Sequence, residues 1–254
     1  MEKFTYLLVI TAGVLVPFLF SFHPRLRFWN NIRFFIYANL ITSGFFILWD
    51  VYFTSLKVWG FNDRYVIGTF FNGLPLEEIL FFIFIPYACL FSYHCFGIWK
   101  GKEFKGFNTH WISIIITIAL FIMAAFYLDR AYTAVTFILL AGFLIFLQFI
   151  SRPSWLAQFY FTYLIMLIPF FIINGILTGT GLAEPIVWYN SREIINLRIL
   201  TIPVEDIFYG MLLTGINTFF YEYFLNKGYS VSSVKNEQSF AEKVRMKDNM
   251  SVTE

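Results

Sequence analysis

The chain has 254 residues, of which 59% are hydrophobic and 13% charged, with 35 phenylalanines and a formal net charge of +2. A soluble domain carries about 25% charged residues, so this chain has too few to cover a water-facing surface and reads as an integral membrane protein. The small net charge gives no reason to expect a nucleic-acid partner.

A helix that crosses a bilayer needs about 20 mostly apolar residues. Seven segments meet that description, at about 4–21, 32–54, 75–98, 111–128, 132–150, 156–178 and 203–225. The first follows Lys3 with no small-residue cleavage site behind it, so it reads as an uncleaved span. Polar and helix-breaking residues collect in the connections, and the stretch after Asn226 is polar, charged and rich in serine. Its composition predicts a largely disordered tail. Cys89 and Cys95 share one apolar segment without a C-x-x-C spacing and read as packing residues.

Two stretches repeat. Pro75-Leu76-Glu77-Glu78-Ile79 and Pro203-Val204-Glu205-Asp206-Ile207 lie 128 residues apart. At the same offset Asn62 matches Asn190 and Arg64 matches Arg192. Each copy places a proline and two acids at the start of a long apolar run. Proline suits the first helical turn, and acids there face the positive end of the helix dipole. The expected architecture is all-α: seven transmembrane helices in two parallel three-helix repeats, about 1–98 and 132–225, joined by a linker helix at about 111–128, with a polar tail at 226–254. Helices three and seven then point the same way, and both acidic motifs enter the membrane from one face. Parallel repeats of this kind are related by an axis along the membrane normal.

Lysine and arginine are biased between the two faces. Lys3, Lys57, Arg64, Arg130, Arg192 and Arg198 fall on the face of the acids. Arg25, Arg27, Arg33, Lys100, Lys102, Lys105, Arg152, Lys227 and Arg245 fall on the other. The positive-inside rule places the second set in the cytoplasm, with the N-terminus outside the cell membrane and the C-terminus inside.

Ionisable side chains within a membrane mark function by default. The catalytic candidates are Glu77, Glu78, Glu205 and Asp206, with Asp50 near the end of the second span. Neighbouring residues on a helix point about 100° apart, so one acid of each pair can face a shared cleft; phase alone does not say which, and Glu78 and Glu205 are the favoured pair. The competing reading is four solvated helix caps. Aromatic residues flank the motifs: Trp59, Phe70, Phe71, Phe81, Phe82, Trp188, Tyr189, Phe208 and Tyr209. Their faces attract positive charge, although interfacial Trp and Tyr are ordinary in membrane proteins. Asn72 and Asn174 are candidates to cap helices or bond the acids, and Arg64 and Arg192 to pair with them or to sit among headgroups. His23, His94 and His110 show no metal-site spacing, and no dinucleotide, P-loop or zinc-protease motif occurs.

Pro-x-Glu-Glu in one half and Pro-x-Glu-Asp in the other resemble the membrane-integral, heterodimeric-type lycopene cyclases, in the form that fuses both halves into one chain. The resemblance covers about residues 1–225 and extends to Asp50, Asn72-Gly73 before Pro75, and Asn174 with Thr178. It implies a lycopene β-cyclase of carotenoid biosynthesis, an intramolecular lyase or isomerase that needs no redox cofactor and no metal. The implied catalytic residues are Glu77, Glu78, Glu205 and Asp206, supported by Asp50, Asn72, Asn174, Arg64, Arg192, Trp59 and Tyr209. Its partners would be lycopene or a related acyclic carotenoid and the lipid bilayer, with a homo-oligomer or contact with other carotenoid enzymes left open. Two other classes stay in view: a proton- or cation-coupled transporter with the acids as its ion site, and a Mg-dependent membrane prenyltransferase.

Overall fold

A computed structural model describes residues 2–100 and 108–251, with side chains in the last helix described as far as 228. The linker lysines Lys102 and Lys105 lie outside the described residues. Seven helices follow the apolar segments closely: α1 (Thr5–Phe20), α2 (Ile32–Ser55), α3 (Leu76–Lys100), α4 (His110–Phe126), α5 (Ala131–Ile145), α6 (Leu156–Leu177) and α7 (Val204–Ser251). A π-helical turn, Phe146–Ser151, prolongs α5. The tail read as disordered instead continues α7 as helix to Ser251. Among the described residues five helical stretches are long and apolar enough to cross a membrane, and α4 is a shorter apolar helix.

The two repeats interlock rather than stand side by side. α1 packs along α3, and α5 along α7 in the same way. The second helix of each repeat crosses over: α2 lies mainly on α7, and α6 on α3. The linker α4 packs on α5.

Buried polar backbone must find partners at membrane depth. Pro86, inside α3, has no N–H and leaves the Phe82 carbonyl without its helical donor. Asn39 Nδ2 and Ser43 Oγ, one turn apart on α2, donate to that carbonyl at 3.0 and 2.7 Å. The same bonds tie α2 to α3.

The connections at the acidic face are not plain polar loops. Strand β1 (Trp59–Phe61) pairs antiparallel with β4 (Val187–Tyr189). Two hairpins precede the acidic helices: β2 (Phe70–Phe71) with β3 (Leu74–Pro75), and β5 (Arg198–Ile199) with β6 (Ile202–Pro203). The first turns on Asn72 and Gly73, both at positive φ, the conformation that a tight two-residue hairpin requires. Leu200 takes the same left-handed conformation in the second turn. Pro75 and Pro203 end these hairpins, one residue before the helices begin.

The β1–β4 ladder shows where the repeat axis runs. Gly60 faces Trp188, and the flanking pairs Trp59–Tyr189 and Phe61–Val187 exchange under the 128-residue offset. The Asn62 N–H donates to the Ile186 carbonyl at 2.9 Å, and the Asn190 N–H to the Val58 carbonyl at 2.8 Å, again as twins.

Candidate active site

Each acidic pair splits in the same way. Glu77 Oε1 accepts the Ile67 N–H at 2.7 Å, and Glu205 Oε1 accepts the Ile195 N–H at 2.6 Å. Thr133 Oγ1 adds a bond to Glu205 at 2.6 Å. Both side chains are fully buried. They turn back from the helix starts and hold the loops that lead into the hairpins. Their second oxygens, Glu77 Oε2 and Glu205 Oε2, are buried without a partner among the described residues.

Glu78 and Asp206 take the other direction. They line a single cavity of about 290 Å³, and Asp50 reaches the same cavity from α2. The Tyr6 hydroxyl donates to Glu78 Oε2. The equivalent tyrosine of the second half, Tyr132, donates to Asp206 Oδ1 at 2.7 Å. Asp206 Oδ2 receives two more bonds, from Asn174 Nδ2 at 2.8 Å and from the Tyr189 hydroxyl at 3.0 Å. Trp59 Nε1 donates to Asp50 Oδ1, and Asp50 Oδ2 is buried with no partner among the described residues. The pair is therefore symmetric in place and asymmetric in its bonding. Burial, reinforced by the neighbouring Asp206, pushes the Tyr189 phenol well above its usual pKa, so the group stays a donor.

Aromatic rings wall the cavity around the carboxylates. Trp59 lies edge-on to Tyr132 at 5.0 Å, Tyr132 stacks on Tyr189 at 5.8 Å, and Tyr209 sits 6.0 Å from Tyr132. Trp59, Tyr132, Tyr189 and Tyr209 all line the cavity, as does Phe81. The other flanking aromatics go elsewhere. Phe70 and Phe71 are exposed on the first hairpin, Phe82 is in the core, Phe208 packs on Phe137, and Trp188 covers the axis.

Of the remaining candidates, Asn174 and Trp59 bond cavity acids directly, and Asn72 shapes the hairpin that precedes α3. Among the described residues neither candidate arginine meets these acids. Arg64 pairs with Glu2 at the surface, Nε to Oε2 at 2.7 Å, and Arg192 is exposed. The backbone N–H groups of both arginines donate to the side-chain oxygens of Asn62 and Asn190 at 3.1 Å, which explains the matched asparagines as loop architecture.

Tyr6, Tyr132 and Thr133 escaped the sequence reading. Tyr6 and Tyr132 are 126 residues apart, not 128, so the register that matches the acids leaves them unmatched. A search that allowed a two-residue shift between the first helix and the acidic helix of each repeat would have found them.

These features define a helical membrane protein whose repeats enclose an aromatic-walled carboxylate site below one face of the bundle. A family model described as lycopene cyclase matches residues 3–96 and 129–224, both repeats and most of the chain. The chain belongs to the lycopene cyclase family, and is a membrane-embedded cyclase with a carotenoid substrate. Neither a curated protein nor a solved structure matched it.

Proposed function

We propose that the protein is an intramembrane lycopene β-cyclase that works by carboxylate acid/base catalysis. The observation that carries this reading is that Glu78 and Asp206, equivalent residues from the two repeats, line one cavity together. One composite site, rather than one site per repeat, serves each substrate end.

Cyclisation needs one group that gives a proton and another that takes one. An ionised carboxylate is acceptor-only, and three donors converge on Asp206, so Asp206 is equipped to be the base. Among the described residues Tyr6 is the one donor to Glu78, and Asp50 has one oxygen without a partner. Glu78, with Asp50 beside it in the cavity, is assigned as the acid.

In the proposed reaction the acid protonates C2 of the terminal C1=C2 bond and leaves a cation at C1. The C5=C6 electron pair forms the C1–C6 bond and moves the cation to C5. The base removes the proton on C6, and that electron pair restores C5=C6 as a β-ring. One proton is supplied and one is removed, and no electrons leave the substrate. The faces of Trp59, Tyr132, Tyr189 and Tyr209 hold positive charge without competing as bases. A site closed to water protects the cation from capture.

The test is expression in cells that accumulate lycopene. Conversion to mono- or bicyclic carotenes is expected. An unchanged lycopene pool, with the protein shown to be inserted in membranes, would count against the reading.

A further inference from the structure

The cavity is not confined to the acids. On α3 its lining runs through Glu78, Ile85, Cys89 and Ser92, one face of the helix at spacings of seven, four and three. From Glu78 to Ser92 is 14 steps, or about 21 Å at 1.5 Å per residue. On α6, which runs antiparallel, the lining passes from Asn174 beside the acids through Phe170 and Met166 to Tyr163. Gly13 and Pro17 of α1 line it as well. Gly210, Leu213 and Thr214 of α7 complete the wall, so the cavity is a groove that follows α3 and α6, closed by α1 and α7, with carboxylates at one end.

The repeat symmetry calls for a second groove between α7 and α2, and there the space is filled. Phe46 and Trp49 of α2 stack with centroids 5.6 Å apart and meet Tyr209 edge-on at 5.1 and 5.2 Å. Phe46 is fully buried. At the 128-residue offset the groove residues Cys89 and Ser92 are replaced by the larger Asn217 and Phe220. Two equivalent acids thus share one groove.

We propose that the α3–α6 groove is the seat of the unreacted polyene, so that the substrate binds one end at a time with its tail along Cys89 and Ser92. This rests on the cyclase reading for the identity of the occupant. Below the acids the groove is lined mainly by apolar side chains, and in the reaction only the end group of a linear carotenoid gains and loses a proton. A bicyclic product then requires the monocyclic intermediate to leave and to return reversed. Cys89 and Ser92 become determinants of chain length rather than of chemistry.

The experiment uses the full chain in lipid nanodiscs with two probes: lycopene, and an acyclic apocarotenoid with the same end group, cut to stop short of Cys89. Binding is read from the circular dichroism that a chiral site induces in a polyene. Cys89→Phe and Ser92→Phe are expected to weaken lycopene binding by about tenfold or more, as overpacking of a tight site does, while the short probe binds as in wild type. Retained binding of the short probe also shows that the variants are folded. Unchanged lycopene affinity in both variants, or equal losses on both probes, overturns the groove assignment. Turnover is scored separately: a wild-type chain that binds both polyenes and cyclises neither would defeat the cyclase reading and leave the groove standing.

Discussion

Gly60 and Trp188 face each other on the repeat axis, where the absence of a side chain on one admits the indole of the other. A Cβ added at Gly60 would lie 2.3 Å from Cζ2 and 2.6 Å from Cε2 of Trp188. The contact closes the β1–β4 ladder that joins the halves over the site. Gly60→Ala is expected to destabilise the protein by about 1–3 kcal/mol, the usual range for overpacking. Trp188→Leu should recover most of that loss in the double variant, since the two residues are in contact and their effects couple. Thermal unfolding in detergent, read as a double-mutant cycle, checks this. Additive losses would show that the clash is not the cause.

The acids should separate into two functional classes. Glu78→Gln and Asp206→Asn keep shape but remove proton exchange, and are expected to lower lycopene conversion by about 10²–10⁴-fold. Glu77→Gln and Glu205→Gln retain an oxygen that can accept the Ile67 and Ile195 N–H groups. Their turnover should stay within about tenfold of wild type, with the change expressed in thermal stability. Product analysis adds a second readout. A composite site loses cyclisation at both substrate ends from either single amide, whereas independent sites would each retain monocyclic product.

Which acid of each pair faces the cavity was not legible in the sequence. Helix phase could place either one there, and the choice is made by the loops, whose Ile67 and Ile195 N–H groups capture Glu77 and Glu205. The seven apolar segments, the 128-residue offset and the common face of the acids were legible, because hydropathy and repetition are written directly in residue order. The β1–β4 ladder was not, since Trp59–Phe61 and Val187–Tyr189 are three-residue strands whose partners lie in different repeats. Nor was the asymmetry of the cavity, which depends on how Phe46 and Trp49 fill one side of a pseudo-symmetric bundle.

Tyr6 and Tyr132 are equivalent donors, but their removal should differ. Tyr6→Phe deletes the donor to Glu78, while Tyr132→Phe leaves Asp206 with Asn174 and Tyr189. A hydrogen bond to a charged or buried group is worth about 1–3 kcal/mol. Tyr6→Phe is expected to cut the cyclisation rate by about tenfold or more, and Tyr132→Phe by less. The measurement is initial rate at saturating lycopene in purified membranes. The reverse order would mean that the donor count around each acid does not set its role.

The orientation of the bundle is proposed from the charge bias of the loops. Arg25, Arg27, Arg33 and Arg152 cluster on the face opposite the acids, and the cytoplasm is the proposed location of that face. Lys57 lies on the acidic face, exposed between α2 and β1, so a cysteine there can be labelled without disturbing the β1–β4 ladder. In intact cells Lys57→Cys is expected to react with a membrane-impermeant maleimide, while a fluorescent reporter fused after Glu254 reads as cytoplasmic. Labelling of Lys57→Cys only after the cells are opened would invert the bundle. The site itself would survive that result, because β1–β4 and both acidic helix starts lie on one face whichever way the face is turned. The consequence would fall on proton traffic. With the acids near the outer face, proton exchange with solvent runs to the outside, and the polyene tail in the α3–α6 groove extends toward the cytoplasmic leaflet. With the bundle inverted, both directions reverse.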